Sequence, residues 1–131
     1  MKVELSIRPD RKITLSSFEK QLDGSGCASL SLTSSKFKYS NEEFYFDSLL
    51  KFTEDLKKIY KSLSGATELR FHYESEYLKF EATSNGHIEL TGEFLEYGEI
   101  QQTLNFGFVF DQSYLPEFIE QLEAVNREVY S

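Results

Sequence analysis

Through the first third of the chain, apolar residues tend to fall on every second position. Val3, Leu5 and Ile7 alternate with Glu4 and Ser6, the period of a half-buried strand, and Pro9-Asp10 closes the segment. Ile13 and Leu15 flank Thr14 and mark a second strand. Asp23-Gly24-Ser25-Gly26 reads as a turn or loop. Ala28, Leu30 and Leu32 alternate with serines in a third strand, Phe37 and Tyr39 begin a fourth, and residues 44–46 read as another short one. The period then changes. Leu49, Phe52, Leu56, Ile59 and Leu63 stand 3, 4, 3 and 4 apart, one apolar stripe along a helix. Asp47 or Ser48 suits its N-cap, and Gly65 suits the left-handed position beyond its end.

Alternation returns after the helix. Leu69, Phe71 and Tyr73 form the apolar side of one strand, and Leu78, Phe80 and Ala82 that of the next, with Glu74-Ser75-Glu76 as the link. Asn85-Gly86 signals a hairpin, because both residues tolerate positive φ. Ile88, Leu90 and Phe94 then share a face with Gly92, and Tyr97-Gly98 turns the chain. Leu104, Phe106, Phe108 and Phe110 line one side of the last strand. Asp111 or Ser113 caps a final helix with Pro116 in its first turn, and Leu115, Phe118, Leu122, Val125 and Val129 repeat the 3, 4, 3, 4 spacing. The pattern predicts one α+β domain over residues 1–131, with an antiparallel sheet of about six or seven strands and two amphipathic helices packed on one face. Leu56, Ile59, Leu69, Phe71, Ile88, Leu90, Phe106, Phe108, Leu115, Phe118 and Leu122 are the expected core.

Composition narrows the class. Twelve Phe and eight Tyr supply a core, while two Pro and seven Gly argue against disorder. One cysteine, Cys27, excludes an internal disulfide and a multi-cysteine metal site. The first residues lack the apolar run of a secretory signal, and no stretch approaches the ~20 apolar residues of a membrane helix. A soluble protein of the cytoplasm, monomeric when free, is the expectation.

Charge is divided between the halves. Residues 1–65 hold 11 Lys or Arg against 9 Asp or Glu, net +2; residues 66–131 hold 3 against 13, net −10, together the −8 of the chain. A field of that sign repels nucleic acid and attracts basic proteins. The polar sides of the last four strands read Glu68, Arg70, His72; Tyr77, Lys79, Glu81; His87, Glu89, Thr91, Glu93; and Gln101, Thr103, Asn105, Gly107. Seven acids fall between Glu74 and Glu99 with Lys79 as the only base among them. Solvation is the plain use of such a face, and protein binding the specific one.

Signals for catalysis are weak. His72 and His87 lack the neighbours of a metal site, and Glu89 and Glu93 resemble a catalytic carboxylate pair but lie on an open face. Nucleophile elbow, phosphate loop and dinucleotide fingerprint are missing from the sequence. Cys27 reads as a structural thiol. The chain is therefore expected not to be an enzyme and to need no cofactor or metal.

The second half carries Leu63-Ser64-Gly65-Ala66 at the helix end, Gly86-His87-Ile88-Glu89-Leu90-Thr91-Gly92, Leu104-Asn105-Phe106, and Asp111-Gln112-Ser113-Tyr114-Leu115. Together these motifs resemble the Wap-type (WapI-like) immunity protein family. Leu90 stands where the family pattern has Val, and Ser113 where it has Thr. The resemblance covers roughly residues 50–125 and implies a small bacterial antidote that binds and neutralises a cognate toxin domain, often a basic nuclease. Under that reading the expected contacts are Glu68, Glu76, Tyr77, Glu81, Glu89, Glu93 and Tyr97, with no nucleic acid or membrane partner. The alternative is a small-ligand-binding or regulatory module, which needs an apolar pocket in place of a flat acidic face.

Overall fold

Alternating segments adjacent in sequence pair antiparallel with one another. The computed structural model describes residues 1–71 and 75–131. Strands β1 (Lys2–Arg8), β2 (Arg11–Lys20), β3 (Gly26–Ser34) and β4 (Phe37–Phe46) form one four-stranded meander. Helix α1 (Leu49–Ser62) leads to a second meander of β5 (Ala66–Arg70), β6 (Tyr77–Ala82), β7 (His87–Glu96) and β8 (Gln102–Asp111), and α2 (Leu115–Glu128) ends the chain. The fold is α+β, and the described strands number eight in two sheets. An isolated antiparallel bridge, Phe46–Phe71, links the sheets. The expected places of His72 and Tyr73 on opposite faces, and Glu74 in the following link, lie outside the described residues.

A bulge explains why β4 reads as two short strands. Leu30 pairs with Asn41 but Ala28 pairs with Phe44, so β4 holds one extra residue there. The apolar positions accordingly switch from odd (Phe37, Tyr39) to even (Phe44, Phe46). The Asn41 side chain accepts from the Glu43 N–H at 2.9 Å within this kink. On the other side of β3, Ser16 pairs with Ser29 and Glu19 with Cys27, and Ser17 takes a left-handed φ of 54° at that second bulge.

The inner faces of both sheets and the two helix stripes meet in one core. Phe44 lies edge-on to Phe94 and to Phe71, joining the sheets through aromatic contacts. Phe80 packs against Phe52 of α1 and Phe118 of α2, which holds both helices on the second sheet. All the expected core residues are buried except Phe71, which is partly exposed beside the bridge. The helices also share a buried polar contact, in which the Asn126 amide donates to the Thr53 hydroxyl at 2.9 Å.

Chain ends of the helices follow local chemistry. The Ser48 hydroxyl accepts from the Lys51 N–H at 3.1 Å and caps α1. Its last turn closes on Leu63 at φ 55°, with Gly65 left-handed two residues later. Asp111 accepts from the Ser113 N–H at 2.8 Å, opening a short 3-10 turn, Gln112–Tyr114, that runs into α2 and places Pro116 in its first turn. Asn85 and Gly86 both have positive φ, in a three-residue loop closed by a Thr83–His87 backbone hydrogen bond.

Candidate functional site

Register turns the outer side of the second sheet into rows of side chains. Arg70, Tyr77, Glu93 and Asn105 stand side by side across β5 to β8. The next row is Glu68, Lys79, Thr91 and Gly107, and the third is Ala66, Glu81, Glu89 and Val109. Gln101 precedes the start of β8, and Thr103 faces Leu95. The opposite sides of these strands are buried in the core, so this face looks outward.

The acids on it are not equivalent. The Arg70 guanidinium donates to Glu68 at 3.0 and 3.1 Å and lies over the Tyr77 ring, 5.3 Å from its centre. Lys79 sits 3.8 Å from Glu81. These are exposed pairs, cheap to re-sort when a partner arrives. Among the described residues, Glu89 and Glu93 have no ion pair. They are half-buried, flank Thr91 on β7, and Glu89 stands directly opposite Glu81 in the register. Like charges facing each other across a sheet are destabilising. The fold itself therefore gains nothing from this arrangement, which raises the negative potential at the centre of the face.

Two expected contacts sit differently. Glu76 is only 4 % exposed, and its carboxylate accepts from the Leu95 N–H at 3.0 Å and from the Tyr39 hydroxyl at 3.3 Å. It ties the start of β6 to β7 and β4 and presents no carboxylate on the face. Tyr97 lies beyond the end of β7 and is 62 % exposed. Tyr77 is half-buried beneath Arg70. Glu68, Tyr77, Glu81, Glu89 and Glu93 are brought together on one surface, with Tyr97 at its end.

Three other surface features carry no signal in the pattern of residues. Val109 is 46 % exposed at the end of the third row, and Ile100, next to Tyr97 in the same turn region, is 79 % exposed. A shallow groove of about 300 Å³ runs between β4 and the ends of β7 and β8, with Phe37, Tyr39, Phe94 and Leu104 among its walls. A hollow at the two bulges collects Glu19, Glu42 and Glu43 around Cys27 and Tyr45. Burial, then Glu19 and Glu43, push the Cys27 thiol upward from its ordinary pKa, which makes it a poor nucleophile. Among the described residues, no cluster of three or more His, Cys, Asp or Glu is placed to hold a metal ion. His87 closes the hairpin, its Nδ1 3.4 Å from the Ser84 carbonyl oxygen. No helix among the described residues is long and apolar enough to cross a membrane.

The model of the immunity protein WapI-like family matches residues 5–128. The match takes in most of the first meander as well as the motif-bearing second half. No curated protein and no solved structure matches the chain.

Proposed function

The chain belongs to the WapI-like immunity protein family, and we propose that it neutralises a cognate bacterial toxin domain by binding it through the outer face of the second sheet. Glu89 and Glu93, which have no ion pair among the described residues and share one side of β7, are the observation that carries this reading. A basic partner supplies the missing counter-charges. Glu68 joins them when Arg70 re-sorts, and Tyr77 and Tyr97 offer aromatic contact at the margins. The partner class that fits is a toxin with a cationic active-site surface, as a nuclease has. Occlusion of that surface by a one-to-one complex is the mechanism. It requires no chemistry, cofactor or metal from the immunity protein, and it takes place in the cytoplasm, where the toxin's substrate lies.

Charge also sets the approach. The second half carries net −10, from 3 Lys or Arg against 13 Asp or Glu. Such a field speeds encounter with a cationic partner at low salt. Co-expression with the toxin domain encoded beside this gene tests the reading. Growth restored by the wild-type chain, with a complex recovered on purification, is the expected result. Continued toxicity with no complex refutes immunity against that partner.

The aromatic groove at Phe37, Tyr39, Phe94 and Leu104 favours a second reading, as a small-ligand module. Chemical-shift changes confined to that groove on adding a small aromatic ligand, with no rescue from any neighbouring toxin, would establish it instead.

A further inference from the structure

Edge strands carry unpaired backbone groups, and soluble proteins usually guard them with charge, proline or cover. Three of the edges here follow that rule. β1 carries Lys2, Glu4 and Arg8; β4 carries Lys38, Glu42 and Glu43; β5 carries Glu68 and Arg70. The fourth edge, β8, is guarded by neither charge nor proline before its last residue, and the first sheet approaches it at β3 and across the groove beside β4. Residues 100–110 hold no charged residue and no proline, and among the described residues β7 is the only strand hydrogen-bonded to β8. Its outward side chains, Thr103, Asn105 and Val109, are exposed.

Gly107 lies in the middle of that edge. An exposed glycine inside a strand weakens it, and such glycines mark places where another backbone or a ligand approaches. Its φ is not in the left-handed region, so the backbone conformation does not demand glycine. A Cβ there would meet Thr91 Cγ2 at 3.2 Å, a tight contact that a side-chain shift of a few tenths of an ångström relieves. The absence of a side chain leaves an open lane from the edge to Thr91, with Glu93–Asn105 on one side and Glu89–Val109 on the other.

We propose that the free edge of β8 takes up an extended segment of the toxin as a fifth strand of the second sheet, and that a Lys or Arg of that segment lies over Gly107 between Glu89 and Glu93. An added strand runs about 5 Å from β8 and about 10 Å from β7. A long basic side chain crossing the bare Gly107 spans much of that gap and meets the glutamates reaching back. Backbone hydrogen bonds give the affinity of such a contact, and alternate side chains give its selectivity. A second copy of this chain is a poorer occupant, because pairing two molecules of net −8 sets like fields together. The inference rests on the immunity reading for the identity of the segment.

A peptide test separates the two claims, because it needs no toxin. The probe is an acetylated, amidated heptapeptide alternating Thr and Lys, with a Thr/Glu counterpart as control. Amide exchange and chemical shifts are followed by NMR. The Lys peptide should slow exchange at the outward amides of residues 102–110, and the Glu peptide should not. Gly107→Val, which fills the lane without changing charge, should weaken the Lys peptide about tenfold while the melting temperature holds or rises. Shifts at Glu89 and Glu93 with no slowing along β8 would overturn strand addition, and so would equal binding by Gly107→Val. Slowing that grows with protein concentration in the absence of peptide would replace the toxin segment with a second copy. Rescue in co-expression is read separately, so either claim can fail alone.

Discussion

Glu76, one of the seven acids between Glu74 and Glu99, holds the backbone N–H of Leu95 at 3.0 Å from inside the protein. The Tyr39 hydroxyl donates to the same carboxylate oxygen at 3.3 Å, so three strands meet at one buried group. Glu76→Ala leaves both donors without this acceptor. It should destabilise the fold by about 1–3 kcal/mol in denaturant titration. Affinity for a partner, measured on the folded fraction, should change far less than in Glu89→Gln. The reverse ranking would put Glu76 in the interface.

Gly92 is required by packing. A Cβ there would sit 2.3 Å from Phe106 Cε1 and 2.7 Å from the Tyr77 backbone oxygen, and the latter cannot move without breaking the β6–β7 ladder. Gly92→Ala should cost about 1–3 kcal/mol. Gly107→Ala, whose nearest neighbour is the Thr91 methyl at 3.2 Å and not a backbone atom, should cost less than Gly92→Ala by the same denaturant titration.

Alkaline pH should unfold the protein through two phenols. Burial first, then the nearby Glu76 charge, pushes Tyr39 up to about 12 from the ordinary 10.0. Burial likewise lifts Tyr130 to about 12, and its hydroxyl donates to the Glu19 carbonyl at 2.8 Å. Between those values the folded chain keeps protons that the unfolded chain has released. This contribution is therefore fully present below pH 10.0 and is lost as pH rises toward about 12. Tyr39→Phe should flatten the fall in denaturant midpoint over that window, and a slope identical to wild type would contradict the assignment.

Cys27 should behave as an inert thiol. It is buried, and its pKa is raised by burial and by Glu19 and Glu43. A thiol-specific colorimetric reagent should label it slowly in the folded protein and at once in denaturant. Equal rates would show that the hollow between the bulges is open to solvent.

Much of the fold is legible in the sequence, because periodicity reports which face of an element is apolar. The stripe from Leu49 to Ile59, the alternation of Ile88, Leu90 and Phe94, and the Asp111 turn all read directly. Periodicity does not report what an apolar face packs against. The division of the strands into two sheets, joined by Phe44 between Phe71 and Phe94, was therefore not readable. The bulge at residues 41–44 shifted the phase of β4 and split one strand into two. At the candidate face, alternation placed Glu89 and Glu93 on the same side of β7, flanking Thr91. Alternation likewise put Arg70 beside Glu68 and Lys79 beside Glu81, the pairs that form within β5 and β6, but it could not tell that Glu76 turns inward, because that depends on β4 lying beside β7.

Binding of a basic toxin domain at Glu89 and Glu93 is the proposal on which the rest depends. The most direct measurement is the equilibrium affinity of the purified toxin domain for wild type and for Glu89→Lys/Glu93→Lys, at low and at high salt. Both substitutions fall on the outer face, so the melting temperature of the variant should stay near wild type. The double variant should bind at least about a hundredfold more weakly, through the loss of two charge contacts buried in the complex. Wild-type affinity should also fall with salt far more steeply than that of the variant. Equal affinities at both salt concentrations would contradict the proposal and move the interface off the second sheet.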